Sequence, residues 1–356
     1  MQTRKQFLKK ISAVTAGATL MGWKEMENFI TLPKKKTVYF DLHCHAGWAF
    51  INGNFDIDTA GTTVVKTVSE MAEGHLTGGL FALVADAPLL KLGATGVRVE
   101  GKYAAGDGWV EYKRQLNQFK EVFNKVSITL STQLSDLNPK NRTTVGYIAV
   151  EGGDFLEGQI EKVEEAYRDG VQSIQLVHYS PNGLGDLQTA ENTFNGLSPF
   201  GKEVVKKMNE LGMGIDVAHA SFQTVKDVAS LTYAPIILSH SILEMETDRP
   251  MAKRAISKDH AKLVAETGGL IGAWPSGFNK SFEEYVDNIK RLIDIAGIDH
   301  VGLGTDMNGN FKPVLTSYTQ FPGLAEALQG KGLSQTEVGK VMGENARAVF
   351  AKIFKR

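Results

Sequence analysis

From Val38 onward, short runs of apolar residues recur along the chain, and between them lie longer segments whose apolar positions follow helical spacing. The runs occupy residues 38–43, 79–85, 127–133, 146–151, 173–178, 213–219, 235–240, 269–274 and 300–306. A short apolar run followed by an amphipathic segment is the pattern of a βα unit, and its repetition predicts a parallel sheet covered by helices. Nine runs are one more than a closed eight-stranded barrel requires. Only about a dozen polar residues separate Gln133 from the next run, too few for a parallel crossover helix. The run at 127–133 is therefore assigned to a small extra strand outside the ring, and the remaining eight predict a (β/α)8 TIM barrel. Helices are expected at 161–168 and 201–211, the second opened by Ser198 as cap and Pro199 at the first helical position. The glycine-rich stretch at 92–108 reads as a long loop.

Polar residues interrupt this pattern at one kind of place. Five of the eight runs end in a residue able to bind a metal ion or move a proton, and a sixth ends in aspartate. His43 and His45 close the first run, and Glu151, His178, His219, His240 and Asp306 close later ones. All strand C-termini of a barrel open onto one face, so these residues, far apart in sequence, are expected to converge there. Side chains two apart on a strand point the same way, so His43 and His45 both face the barrel mouth while Leu42 and Cys44 face the helical layer. Cys44, the one cysteine, then reads as a small core residue. Glu151 stands between an apolar strand and Gly152-Gly153, and its two carboxylate oxygens suit it to bridging two cations. His75, His260 and His300 fall at helix ends or at the start of a strand and read as structural.

Composition adds limits. With 42% hydrophobic and 22% charged residues the chain is an ordinary globular one, long enough at 356 residues for a single large barrel. A formal net charge of -1, from 39 basic and 40 acidic side chains, offers no electrostatic attraction to nucleic acid and favours a small-molecule partner. A homodimer is left open. One cysteine makes no internal disulfide and does not locate the protein.

The N-terminus is more telling. Arg4, Lys5, Lys9 and Lys10 precede an apolar stretch at 11–23, the order of an export signal of the Sec or twin-arginine-like type. That stretch is too short to span a bilayer, so no stable membrane span is expected in the mature chain. Residues 1–35 are expected to be signal and linker, residues 36–356 a single barrel domain, and the location the bacterial periplasm.

Taken together, Val150-Glu151-Gly152-Gly153, Gly196-Leu197-Ser198-Pro199-Phe200-Gly201, Gly214-Ile215-Asp216-Val217-Ala218-His219, Pro235-Ile236-Ile237-Leu238-Ser239-His240-Ser241 and residues 297–306 carry a family resemblance. The chain resembles the membrane (renal) dipeptidases, metallopeptidase family M19, among the amidohydrolase-like barrels, from about Val38 to its C-terminus. The resemblance implies a metal-dependent hydrolase that cleaves the amide bond of dipeptides with a metal-bound hydroxide at a binuclear, zinc-type site. It implies that Glu151 bridges the two ions, His43 and His45 hold one, and His219 and His240 hold the other. By the same likeness His178 lies near the substrate carbonyl, Asp306 carries the proton, and Arg254, with Arg249 as rival, takes the substrate carboxylate. Two departures stand out. The family's first motif is usually His-x-Asp, whereas this chain has His45, which replaces an anionic ligand with a neutral one and leaves the number of ions, one or two, open. Trp274-Pro275-Ser276 stands where the family has an Asn-Phe-Tyr-like run along the substrate pocket. These departures motivate two alternatives, an enzyme acting on a lactam or peptide-derived metabolite and a noncatalytic periplasmic binding protein.

Overall fold

Strands that are apolar on both faces pack helices on one side and one another's side chains on the other, which is how a parallel sheet closes on itself. A computed structural model describes residues 37–47, 57–93, 96–141, 143–244 and 252–355. The export signal expected over residues 1–35 and the candidate Arg249 lie outside the described residues. In chain order the elements begin with β1 (Phe40–Cys44), α1 (Ile57–Glu73), β2 (Gly78–Val84), β3 (Leu90–Gly93), β4 (Gly96–Val99), α2 (Asp107–Phe123), β5 (Ile128–Leu130) and β6 (Thr144–Glu151). They continue with α3 (Glu161–Asp169), β7 (Val171–Gln175), α4 (Pro199–Leu211), β8 (Gly214–Asp216), α5 (Phe222–Leu231), β9 (Ile237–Ser241), α6 (Lys258–Glu266) and β10 (Leu270–Ala273). The last are α7 (Phe282–Ala296), β11 (Val301–Leu303), α8 (Phe321–Gly330), α9 (Gln335–Gly339) and α10 (Asn345–Ile353).

The ring runs β2-β1-β11-β10-β9-β8-β7-β6 and closes where β6 pairs with β2 from Gly78↔Val145 to Val84↔Glu151. This is the predicted eight-stranded barrel. The extra strand β5 sits outside the ring at the foot of β6, pairing Ile128↔Thr144 to Leu130↔Gly146, before β7 takes over the same edge at Ile148. Part of the stretch read as a long loop is instead an antiparallel hairpin, with Leu90 opposite Val99. Val97 and Val99 are half-buried while Arg98 and Glu100 are exposed, a period of two that the surrounding glycines obscure. Helix α4 starts as predicted, the Ser198 hydroxyl accepting from Gly201 N. Ser221, Ser257 and Ser281 cap α5, α6 and α7 in the same way, each contributing about 1 kcal/mol.

Two apolar layers result. Phe81, Leu83, Ile148, Val150 and Ile174 face outward onto helices such as α2, which supplies Phe119 and Phe123. Phe40, Leu80, Tyr147, Ile237 and Leu270 fill the barrel, and Val349 and Phe350 of α10 close it at the foot. Each such side chain, fully buried, is worth about 2 kcal/mol. Leu42 belongs to this inner layer, against the expectation that it faces the helices. The reason is a bulge: Asp41 pairs with Gly79 and Cys44 with Phe81, three steps on β1 against two on β2. The extra residue breaks the alternation, so Leu42 and His43 both turn inward. Cys44 lies in the outer layer as expected. Among the described residues, no helix is long and apolar enough to cross a membrane.

Candidate metal centre

The strand ends carry their polar residues to the mouth of the barrel. Glu151, the last residue of β6, is the hub. Its Oε1 lies 3.5 Å from His43 Nε2, 3.3 Å from His178 Nε2, 3.5 Å from His219 Nε2 and 3.8 Å from His240 Nε2. Its Oε2 lies 3.5 Å from His45 Nε2. His43 and His45 face each other with Nε2 atoms 3.3 Å apart, and His219 and His240 with Nε2 atoms 3.0 Å apart. All six are buried. Two left-handed residues aim this set: His219 at φ 65° and Asp306 at φ 52° turn the chain sharply after β8 and β11. Such a conformation costs about 1 kcal/mol for an L-residue. At Asp306 it is held by the hydrogen bond from Asp306 N to His43 O.

The donor set fits divalent cations. Two ligands each about 2.1 Å from a tetrahedral ion stand about 3.4 Å apart, the spacing found among His43, His45 and Glu151. His43, His45 and Glu151 form one group with ligand atoms within 4.8 Å of one another, and Glu151, His219 and His240 form a second. Glu151 is common to both. The rings are also oriented for the task, since His45 Nδ1 lies 3.2 Å from Ala82 O, which places Nε2 toward the centre. His219 Nδ1 is buried without a hydrogen-bond partner among the described residues.

The electrostatics divide the centre. Burial alone would raise Glu151, yet the imidazoles of His178 and His43 hold its carboxyl well below the usual carboxylate range. Burial lowers His43, but Glu151 outweighs it and lifts the ring to about 9. His219 and His240 are held well below their ordinary value by burial, with Arg254 and His43 respectively adding repulsion. The second pair therefore stays neutral, as a ligand must, while His43 holds a proton that a cation would displace.

Around this core stand the remaining candidates. Asp306 Oδ1 is 3.1 Å from His45 Nε2, and Trp274 Nε1 donates to Asp306 Oδ2 at 3.2 Å. His178 Nδ1 is 2.7 Å from Asp86 Oδ1, and Asp86 Oδ2 accepts from the amides of Tyr179 and Ser180. Burial lowers His178, and the carboxylates of Asp86 and Glu151 reverse this and hold it above its ordinary value. Arg254 is only 1% exposed, packs its guanidinium on the Trp274 ring and donates from Nη1 to Gln188. Its Nε and Nη2 make no hydrogen bond of normal geometry among the described residues, although the Tyr179 hydroxyl interacts with the guanidinium, so a buried cation keeps donor capacity for a ligand. Asp86 and Gln188 were not among the candidates, and Trp274 stood only as part of the changed pocket run 274–276. Asp86 directly follows the second apolar run, so the strand-end rule would have reached it, whereas nothing in the pattern marks Gln188.

Comparison with known proteins agrees with this geometry. The sequence model of the membrane dipeptidase family, peptidase family M19, matches residues 28–355. Among solved structures, the chain is similar to dipeptidase AC, a metallopeptidase of family M19, with TM-score 0.77 and 19% identity over 90% of this chain and 100% of that one. It is similar to a metallopeptidase from Rhodobacter sphaeroides liganded with a phosphinate mimic of the dipeptide L-Ala-D-Ala, at TM-score 0.76 and 19% identity, covering 89% and 99%. A third is the probable dipeptidase PvdM from Pseudomonas aeruginosa, at TM-score 0.75 and 18% identity, covering 90% and 96%.

Proposed function

The chain belongs to the membrane dipeptidase family, peptidase family M19, a family of metal-dependent dipeptidases, and from that premise we propose that it hydrolyses dipeptides bearing a free C-terminal carboxylate at a centre of two zinc ions. The observation that carries this reading is the position of Glu151, within 3.8 Å of both histidine pairs. His43, His45 and Glu151 would hold one ion, and Glu151, His219 and His240 the other. Bound there, two divalent cations supply Lewis acidity toward the scissile carbonyl and make water acidic enough to attack near neutral pH.

The chain's own groups do the rest. Arg254 presents Nε and Nη2 to the substrate carboxylate, and a bidentate pair fixes the peptide's direction as well as binding it. His178, held above its ordinary pKa, donates from Nε2 to the carbonyl oxygen as charge develops there. Trp274 anchors Asp306 Oδ2 and leaves Oδ1 to take the proton of the attacking water and return it to the departing amine. One peptide C–N bond breaks and one C–O bond forms. The products are two amino acids. The L-Ala-D-Ala mimic bound by the Rhodobacter sphaeroides metallopeptidase makes small dipeptides with a D-residue second the first substrates to try.

Glu151→Ala tests the reading. Cation content should fall from two per chain to below one and dipeptide hydrolysis by about 10³-fold or more, several kcal/mol of catalysis. A variant that keeps both rules the assignment out. Trp274, lying between Arg254 and Asp306, favours a second reading, a lactam or other peptide-derived metabolite as substrate. Screening dipeptides beside lactams and acylated amino acids separates the two. For the site of action, the basic and apolar N-terminus supports export to the periplasm, checked by fractionating cells that express the full chain.

A further inference from the structure

Ser239 lies between the two histidine pairs. Its Oγ is 3.0 Å from His240 Nδ1 and 3.5 Å from His43 Nδ1, one ring from each group of ligands. The two rings are 4.3 Å apart, centroid to centroid. A histidine that offers Nε2 to a cation carries its proton on Nδ1, and that N–H needs an acceptor. A hydroxyl oxygen has two lone pairs and so accepts two such bonds, provided its own proton is donated elsewhere. Beside it lies the buried carboxylate of Asp216, which accepts from Ala218 N at 2.9 Å and from Ser239 N at 3.1 Å. Ser239 is fully buried, so water does not compete for these bonds.

The backbone is built to allow this. On a regular strand Ser239 and His240, being consecutive, point to opposite faces. In β9, however, Leu238 pairs with Ile271 and Ser241 with Ala273, three steps against two on β10. The bulge turns both side chains toward the mouth. It also pushes the Ser239 carbonyl against its neighbours: a Cβ on Gly272 or on Gly304 would stand 1.8 Å from that oxygen. Glycine at both positions is what gives the bulge room.

We propose that Ser239 is a positioning residue shared by both cation sites: its hydroxyl receives Nδ1–H of His43 and of His240 and donates its own proton to Asp216. The inference rests on the reading of these histidines as cation ligands. Because one oxygen orients a ligand of each site, its removal loosens both cations. Outer partners of ligand histidines are typically worth about 10–100-fold in metal affinity.

The test uses the full chain, stripped of metal and titrated with Zn²⁺ against a chromogenic chelator, as wild type and as Ser239→Ala. Wild type should bind two ions, and Ser239→Ala should bind both about 10–100-fold more weakly, with metal-free melting temperatures agreeing within about 4 °C. Loss at one site alone, or at neither, overturns the shared role. Wild type that binds no zinc overturns the ligand reading itself, a different result from zinc binding that ignores the substitution. A second measurement needs no variant. In the zinc-loaded wild type, nitrogen-detected NMR of labelled histidine should find Nδ1–H protons on both His43 and His240 protected from exchange, and an unprotected His43 proton overturns the proposal.

Discussion

Asp86 holds His178 by its Nδ1 at 2.7 Å, and the same ring points Nε2 at Glu151 Oε1, 3.3 Å away. A carboxylate outside the ligand set thus decides which nitrogen of His178 faces the centre. Asp86→Asn keeps the shape but replaces a charged acceptor with an amide that offers either oxygen or nitrogen. The rate constant kcat on a dipeptide should fall about 10–100-fold while zinc content stays at two per chain. Measuring both on one preparation checks this, and an unchanged kcat counts against it.

Arg254 offers a different kind of loss. In the proposed reading its Nε and Nη2 meet the substrate carboxylate and not the scissile carbonyl, so their contribution belongs to binding. Arg254→Met should raise KM about 10–100-fold, the worth of about 1.5–3 kcal/mol of charge-assisted hydrogen bonding, with a smaller change in kcat. The C-terminal amide of the same dipeptide supplies the control: it should be a poor substrate for wild type and no worse for the variant.

Gly309 supports the first histidine pair by what it lacks. A Cβ there would stand 2.4 Å from Asp306 Oδ1 and from His45 Cδ2. Neither group is free to retreat, since His45 Nδ1 is held at Ala82 O and Asp306 Oδ2 at Trp274. Gly309→Ala should therefore displace His45, at an overpacking cost of about 1–3 kcal/mol. The group Glu151, His219 and His240 is untouched. After dialysis the variant should retain nearer one zinc than two, and a full complement would contradict the assignment of His45.

His260 makes stability depend on pH. Burial in α6, with repulsion from Arg254, lowers its pKa from 6.5 to about 4. Between those values the unfolded chain binds a proton that the folded chain refuses, so stability rises with pH across the window. The contribution is intact above pH 6.5 and is lost as pH falls through about 4, to an extent of about 3 kcal/mol. His260→Leu should flatten this dependence. Urea midpoints at pH 7 and pH 5 for both proteins, free of metal, decide it, and parallel curves would contradict the prediction.

The barrel and most of its mouth were legible because the two periodicities are strong and the topology is simple. Once the eight runs are taken as parallel strands, His43, Glu151, His219 and His240 must meet, whatever the loops between them do. What escaped notice lies where those periodicities fail. The bulge in β1 turned Leu42 into the barrel, and the bulge in β9 brought Ser239 to the mouth beside His240. Gln188 comes from an irregular segment after β7, where it bonds Arg254, and no period announces it. The hairpin at β3 and β4 was hidden because glycines recur through the stretch 92–108 while the alternation around Val97 and Val99 occupies only four residues.

The bulge in β9 has a meaning in chain length as well as in chemistry. Between Leu238 and Ser241 the strand carries one residue more than its neighbour β10 needs. A strand without that residue would pair with β10 step for step. Yet either the hydroxyl or the imidazole would then turn to the helices. The centre thus depends on one residue of chain length that the pairing of β9 with β10 does not itself require.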